Sequence, residues 1–260
     1  MRVLVTGAGG FIGATLLQLL HARRRVGDRP LEQLAACDTQ LAALPAGVVG
    51  IAGDLAHAQV LGRIAAFAPD VCFHLAAVPG GAAEADRALS RRVNLDASLD
   101  LFEALAAAAT KRSAAKGPPI VVYASTIAVY GHPLPDLVGP TTPTRPPMTY
   151  GAHKLACEIV LADYTRRGLL DGRSLRLPGI VARPRAPSGL VSAFMSDVMH
   201  SLRAGEGFIS PVEPAATAWW MSARRCAQNL QHAAAMDPGA GGVDDASRAW
   251  VVPLLRLSMA

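Results

Sequence analysis

Short apolar runs alternate with longer stretches in which apolar residues recur every three or four positions through the first half of the chain. The runs Arg2 to Thr6, Leu34 to Cys37, Val48 to Ile51 and Val71 to Leu75 hold too few polar positions for a strand with one wet face. They match strands buried on both faces of a parallel sheet. A helix is predicted over about Gly10 to Arg24. Val93, Leu95, Leu99, Leu101, Phe102 and Leu105 fall near helical spacing and predict a second from about Ser90 to Lys111. Gly117-Pro118-Pro119 stops that helix before a strand over Ile120 to Ala124. Strands joined by crossover helices give the α/β class, here a doubly wound parallel sheet.

Beyond Gly131 a proline-rich loop, Pro133 to Pro147, interrupts the pattern, and a helix begins near Thr149. A strand over Ser174 to Leu177 ends at Pro178, and helices are predicted over about Leu190 to Arg203 and Ser222 to Met236. Trp250 to Leu257 reads as one more strand entering a further element when the chain stops at Ala260, so the C-terminal region is expected to be truncated. The expected division is a nucleotide-binding domain over 1–178 and a small substrate-binding region over 179–260.

Composition narrows the class without naming a function. In 260 residues, 51% are hydrophobic and 17% charged, with a net charge of +5; that excludes a disordered chain and a polyelectrolyte. No apolar run reaches the roughly 18 to 20 residues that span a bilayer, so no membrane partner is expected. Glycines at 7, 9, 10 and 13 break what otherwise resembles a secretory signal. Cys37, Cys72, Cys157 and Cys226 form no CxxC pair, and reduced thiols in the cytoplasm are expected. His74, His132, His153 and His200 share no ligand spacing, so no metal is expected. Arginine pairs such as Arg23-Arg24 and Arg91-Arg92 are scattered without interleaved aromatics, which argues against nucleic acid as partner.

The strongest local signal is Thr6-Gly7-Ala8-Gly9-Gly10-Phe11-Ile12-Gly13, between a predicted strand and a predicted helix. Gly7, Gly10 and Gly13 suit a tight turn, close approach to a pyrophosphate and close helix packing, with the helix N-terminus facing the anion. That is the Rossmann fingerprint. Asp38, at the end of the next strand, is placed to accept ribose hydroxyls and to repel a 2′-phosphate, which predicts NAD over NADP. Asp54, followed by Leu55, is a weaker candidate beside the adenine. Tyr150 and Lys154 lie at i and i+4 on one helix face, after the hydroxyl pair Ser125-Thr126 at a strand end. A neighbouring ammonium and a positive nicotinamide would bring a phenol toward the range of a general base.

TGAGGFIG, YGAHK and YASTIAVYG together resemble the extended short-chain dehydrogenase/reductases, the NAD-dependent epimerase/dehydratase family, firmly over residues 1 to 185. The resemblance implies Tyr150, Lys154, Thr126 and Ser125 as the catalytic set and Leu75, Ala76 and Ala77 along the cofactor. It also implies cofactor roles for Asn94 in the central helix and Pro178 beside the nicotinamide, and a homodimer through the helices after Ser90 and Thr149. The segment LADYTRRGLLDGRSLRLPGIVARPRAPSG and Ala218-Trp219-Trp220-Met221-Ser222 are similar to a group acting on D-erythronate-like small sugar acids. This implies NAD-dependent oxidation of a C2 hydroxyl to a 2-keto acid. Arg183 and Arg185 are then candidates to fork onto the substrate carboxylate, and one of the two tryptophans is expected in the core. The competing expectations are a nucleotide-sugar epimerase or dehydratase that recycles its NAD, and a non-catalytic NAD sensor.

Overall fold

The structure, a computed structural model, describes residues 1–110, 116–185, 191–237 and 248–259. Lys111 and Leu190, expected as helix ends, lie outside the described residues. The chain opens with β1 (Arg2–Thr6) and α1 (Phe11–Arg23), and a two-stranded hairpin of β2 (Arg25–Val26) and β3 (Arg29–Pro30) leads into β4 (Gln33–Asp38). β5 (Val48–Ala52), α2 (Ala58–Phe67) and β6 (Val71–His74) complete the first half of the sheet. Two short helices, α3 (Gly80–Ala85) and α4 (Arg87–Ser90), run through a π-helical turn over Arg91–Asp96 into α5 (Ala97–Ala109). β7 (Ile120–Thr126), α6 (Thr149–Arg166) and β8 (Asp171–Leu177) follow.

The remaining elements are β9 (Gly179–Val181), α7 (Phe194–Ala204), β10 (Thr217–Ser222), α8 (Ala223–Ala235), β11 (Ala249–Val251) and β12 (Leu255–Ser258). Seven strands form one sheet in the order β11-β8-β7-β6-β1-β4-β5. Every pairing in it is parallel. From β1 the chain first winds outward through β4 and β5, then crosses back to β6, β7 and β8. The crevice for a dinucleotide opens at that reversal, above the carboxyl ends of β1 and β6.

The period-2 rule of a strand divides the core. Val3, Val5, Val122 and Ala124 face α1 and α8, whereas Leu4, Val121 and Tyr123 face α2, α5 and α6. Parallel strands with both faces covered explain why the sequence shows runs rather than alternation. A second sheet, β12-β10-β9, stands beside the carboxyl ends of the large one. Residues 179–260 do not stay in that small sheet, because α8 and β11 return to the large one.

Two expectations change. The single strand over Trp250 to Leu257 is two: β11 pairs with β8 and β12 with β10, and Pro253, which lacks a ladder donor, lies between them. The helix from Ser90 is interrupted by the π turn that carries Asn94. Among the described residues no helix is long and apolar enough to cross a membrane.

Candidate active site

The glycine turn is shaped by contacts that leave no room for a side chain. Gly7 has φ +67°, and a Cβ there would lie 2.6 Å from the Ala76 nitrogen; one on Gly13 would lie 2.0 Å from the Gly7 carbonyl oxygen. α1 therefore starts directly against the turn. Its N-cap, Gly10, offers no side-chain cap, and no acidic residue occupies the first turn. Its leading amides are thus free to meet an anion.

Two adjoining cavities run along this turn. One, about 820 Å³, is lined by Gly7, Gly10, Asp38, Asp54, Leu55, Leu75, Ala76 and Ala77. The other, about 350 Å³, is lined by Gly7, Gly10, Phe11, Ile12, Gly13, Leu75, Ala77, Ser125, Thr126, Tyr150, Lys154, Pro178 and Arg183. Both fall in the size range of small-molecule sites. At the outer end, Asp38 Oδ2 accepts from the Gly9 amide at 2.9 Å, which ties the carboxylate to the turn. Asp54 accepts from Ala56 N at 3.0 Å and pairs with Arg92 at 3.4 Å. The uncapped helix in the middle and the carboxylate at one end fit a dinucleotide whose adenosine half lies against Asp38.

The inner cavity is built where β7 and β8 end and α6 begins. A Cβ on Gly151 would sit 2.2 Å from the Ala128 carbonyl oxygen, so α6 packs directly on the segment after Thr126. Thr126 Oγ1 accepts from Ala128 N at 3.1 Å, leaving its own proton to donate. Lys154 is 1% exposed and its Nζ donates to the Ala124 carbonyl at 2.9 Å. That Nζ lies 5.8 Å from the Tyr150 ring centroid. Burial pushes the Tyr150 phenol up to about 12, and Arg183 is the cation that opposes this. Burial also pushes Lys154 down to about 8, with Cys157 and Glu158 opposing.

Three expected residues sit away from the crevice or are already engaged. Asn94 is buried, its Oδ1 accepting from Val78 N at 2.7 Å and its Nδ2 donating to Val78 O at 3.0 Å; it pins the segment after Ala77 and lines neither cavity. Arg185 donates to Glu206 at 2.9 Å and to Ser201 at 3.1 Å, and the structure does not bring it to Tyr150. Ser125 reaches the inner cavity, but its hydroxyl donates to Glu158. Trp220 is 7% exposed and packs with Val181 and Met195, whereas Trp219 lines a third cavity that also includes Tyr150, Thr126, Pro178 and Arg256. Arg256 was invisible in the sequence as a site residue: only the pairing of β12 with β10 brings it there. Among the described residues no cluster of three or more His, Cys, Asp or Glu side chains is placed to hold a metal ion.

The family model described as NAD dependent epimerase/dehydratase family matches residues 3–219. A D-erythronate dehydrogenase from Cupriavidus necator is 39% identical over 233 residues, 86% of this chain and 69% of that protein. A second D-erythronate dehydrogenase, from Haemophilus influenzae, is 30% identical over 238 residues, 90% of this chain and 72% of that one. Among solved structures, a nucleoside-diphosphate-sugar epimerase from Agrobacterium tumefaciens superposes with a TM-score of 0.91 at 34% identity, covering 100% of this chain and 75% of that one. With the fingerprint, the strand order and these matches in agreement, the chain is an NAD-dependent oxidoreductase and belongs to the NAD dependent epimerase/dehydratase family.

Proposed function

We propose that this chain oxidises the C2 hydroxyl of a small sugar acid of the D-erythronate type to a 2-keto acid, with Tyr150 as the base. The observation that carries the reading is one cavity wall holding Tyr150, Thr126, Lys154 and Arg183 opposite the glycine turn. The likeness to two D-erythronate dehydrogenases supports the substrate class.

Thr126 donates to the substrate's reacting oxygen and holds it beside the phenol. Tyr150 accepts the hydroxyl proton as the C–H bond gives up its two electrons, so the alcohol leaves as a ketone. NAD, when bound, supplies the hydride acceptor and a positive ring beside the phenol. Lys154, anchored on Ala124, holds the hydroxyls of the nicotinamide ribose. Arg183 presents a guanidinium for the substrate carboxylate, a partner that guanidinium groups hold in bidentate geometry. Pro178 and the Leu75 to Ala77 segment wall the cofactor, and Asp38 with Asp54 and Leu55 holds its adenosine end. Residues 1–178 supply this cofactor half and residues 179–260 contribute to the substrate side. A homodimer through α5 and α6 belongs to the same reading; Ile159 on α6 is 63% exposed.

A second reading, an epimerase that recycles its NAD, is favoured by the epimerase of high structural likeness. The two separate on net NADH. Purified protein with NAD and a panel of four- to six-carbon aldonic and uronic acids is expected to build up NADH absorbance with D-erythronate or a close analogue. Flat traces over the whole panel with NAD binding intact contradict the dehydrogenase.

A further inference from the structure

Behind the reacting groups lies a buried ion pair between Glu158 and Arg176. Glu158 is 3% exposed and Arg176 7%. Arg176 Nη2 donates to Glu158 Oε2 at 2.7 Å and its Nε to both carboxylate oxygens at 3.2 Å. Glu158 Oε1 also accepts from Ser125 Oγ, and Arg176 Nη1 donates to the Tyr130 hydroxyl at 2.9 Å.

Each end of this network touches a segment that carries a reacting residue. Glu158 follows Lys154 and Tyr150 at i+4 and i+8 on α6, so the three share one stripe of the helix. Ser125 immediately precedes Thr126. Arg176 stands two residues before Pro178. Tyr130 closes the turn that begins at Thr126. Burying a carboxylate and a guanidinium is expensive unless every donor and acceptor is used, and here the carboxylate accepts from two side chains. We propose that Glu158 is a positioning residue, holding the Tyr150 helix, the Thr126 strand end and the Pro178 strand end in one fixed arrangement.

The same carboxylate acts on Lys154. The groups facing that ammonium are Tyr150, Cys157 and Glu158 on its own helix, the Tyr123 ring at 4.6 Å on β7, and His74 on β6. Cys157 and Glu158 work against the burial that discharges it. Replacing Glu158 by an isosteric amide keeps the packing but withdraws that support.

The inference rests on Tyr150 as base, and the test separates the two. In Glu158→Gln, kcat for NADH formation is expected to fall on the order of 10–100-fold while KM for NAD changes little, since misplaced reacting groups cost rate rather than cofactor affinity. The chain has three lysines, at 111, 116 and 154, so ¹³Cε-lysine NMR resolves Lys154. Its titration midpoint is expected to move down by about one pH unit in the NAD complex. In the double variant Glu158→Gln, Arg176→Gln, which removes both buried charges, kcat is expected to stay depressed.

Normal kcat and a normal Lys154 midpoint in folded Glu158→Gln overturn the proposal, and so does full recovery of kcat in the double variant. Should neither variant fold, Glu158→Asp, which keeps the charge but shortens its reach to Ser125 and Arg176, carries the test: reduced kcat with an unmoved Lys154 midpoint supports it, and unchanged kcat refutes it. If Tyr150→Phe retains full activity, the functional reading fails whatever Glu158 does; an inactive Tyr150→Phe beside a normal Glu158→Gln removes this inference alone.

Discussion

Lys154 and Ala124 are joined by a 2.9 Å hydrogen bond from the buried ammonium to the backbone carbonyl of β7. The ammonium is therefore fixed in place before any ligand arrives, with burial holding its pKa near 8. Lys154→Met removes the cation at nearly constant volume. NADH formation is expected to drop on the order of 100-fold, with a weaker Kd for NAD by tryptophan quenching. Wild-type rates in that variant contradict the assignment.

Tyr150 needs a positive neighbour beyond Arg183, because burial holds its phenol up at about 12. Saturation with NAD is expected to lower that midpoint, since a nearby cation favours the phenolate. The readout is the tyrosinate absorbance difference between wild type and Tyr150→Phe, followed through pH 7 to 12 with and without NAD. An identical titration in both conditions is the failing result.

In the proposed reading Asp38 sets cofactor choice by charge. With the carboxylate held by Gly9 at 2.9 Å, a 2′-phosphate meets fixed repulsion. Asp38→Ala is expected to weaken NAD and to narrow the NAD/NADP ratio of kcat/KM by about tenfold, roughly 1.4 kcal/mol. An unchanged ratio removes Asp38 from the adenosine site.

His74 gives a pH signature of the fold itself. Its ring is buried between Thr6 Oγ1 at 2.7 Å and Ser98 Oγ at 2.9 Å. Burial, and then the Lys154 charge, lower its pKa from 6.5 to about 3. Below pH 6.5 the unfolded chain takes up a proton that the folded chain refuses, so this contribution is complete above pH 6.5 and is lost as pH falls toward 3. Integrated over that window it is on the order of 4 kcal/mol. His74→Asn is expected to flatten Tm against pH between 6.5 and 4.5; parallel wild-type and variant curves contradict this.

The large sheet was legible because strands covered on both faces read as unbroken apolar runs, and α6 because Tyr150 and Lys154 mark one face of it. α2 was not seen. It has no side-chain cap at His57 and no acidic residue in its first turn, so neither end announced itself. β9 and β10 were missed because their partners are distant in sequence: Trp220 pairs with Gly179 and Met221 with Ile180. The glycine turn and Asp38 could be placed from local spacing. Arg256 could not, nor could the Glu158–Arg176 pair, since a charged residue inside an apolar run shows nothing of its partner 18 positions away. Arg185 illustrates the converse: its sequence position near Arg183 suggested a shared task, but Arg185 pairs with Glu206 while Arg183 lines the inner cavity.

The most direct measurement is the rate of NADH formation from D-erythronate by Tyr150→Phe beside wild type, with NAD affinity measured in parallel. The account predicts that wild type turns over while the variant loses at least about 100-fold in kcat, with NAD binding within a few-fold of normal. A variant that forms NADH at the wild-type rate contradicts it.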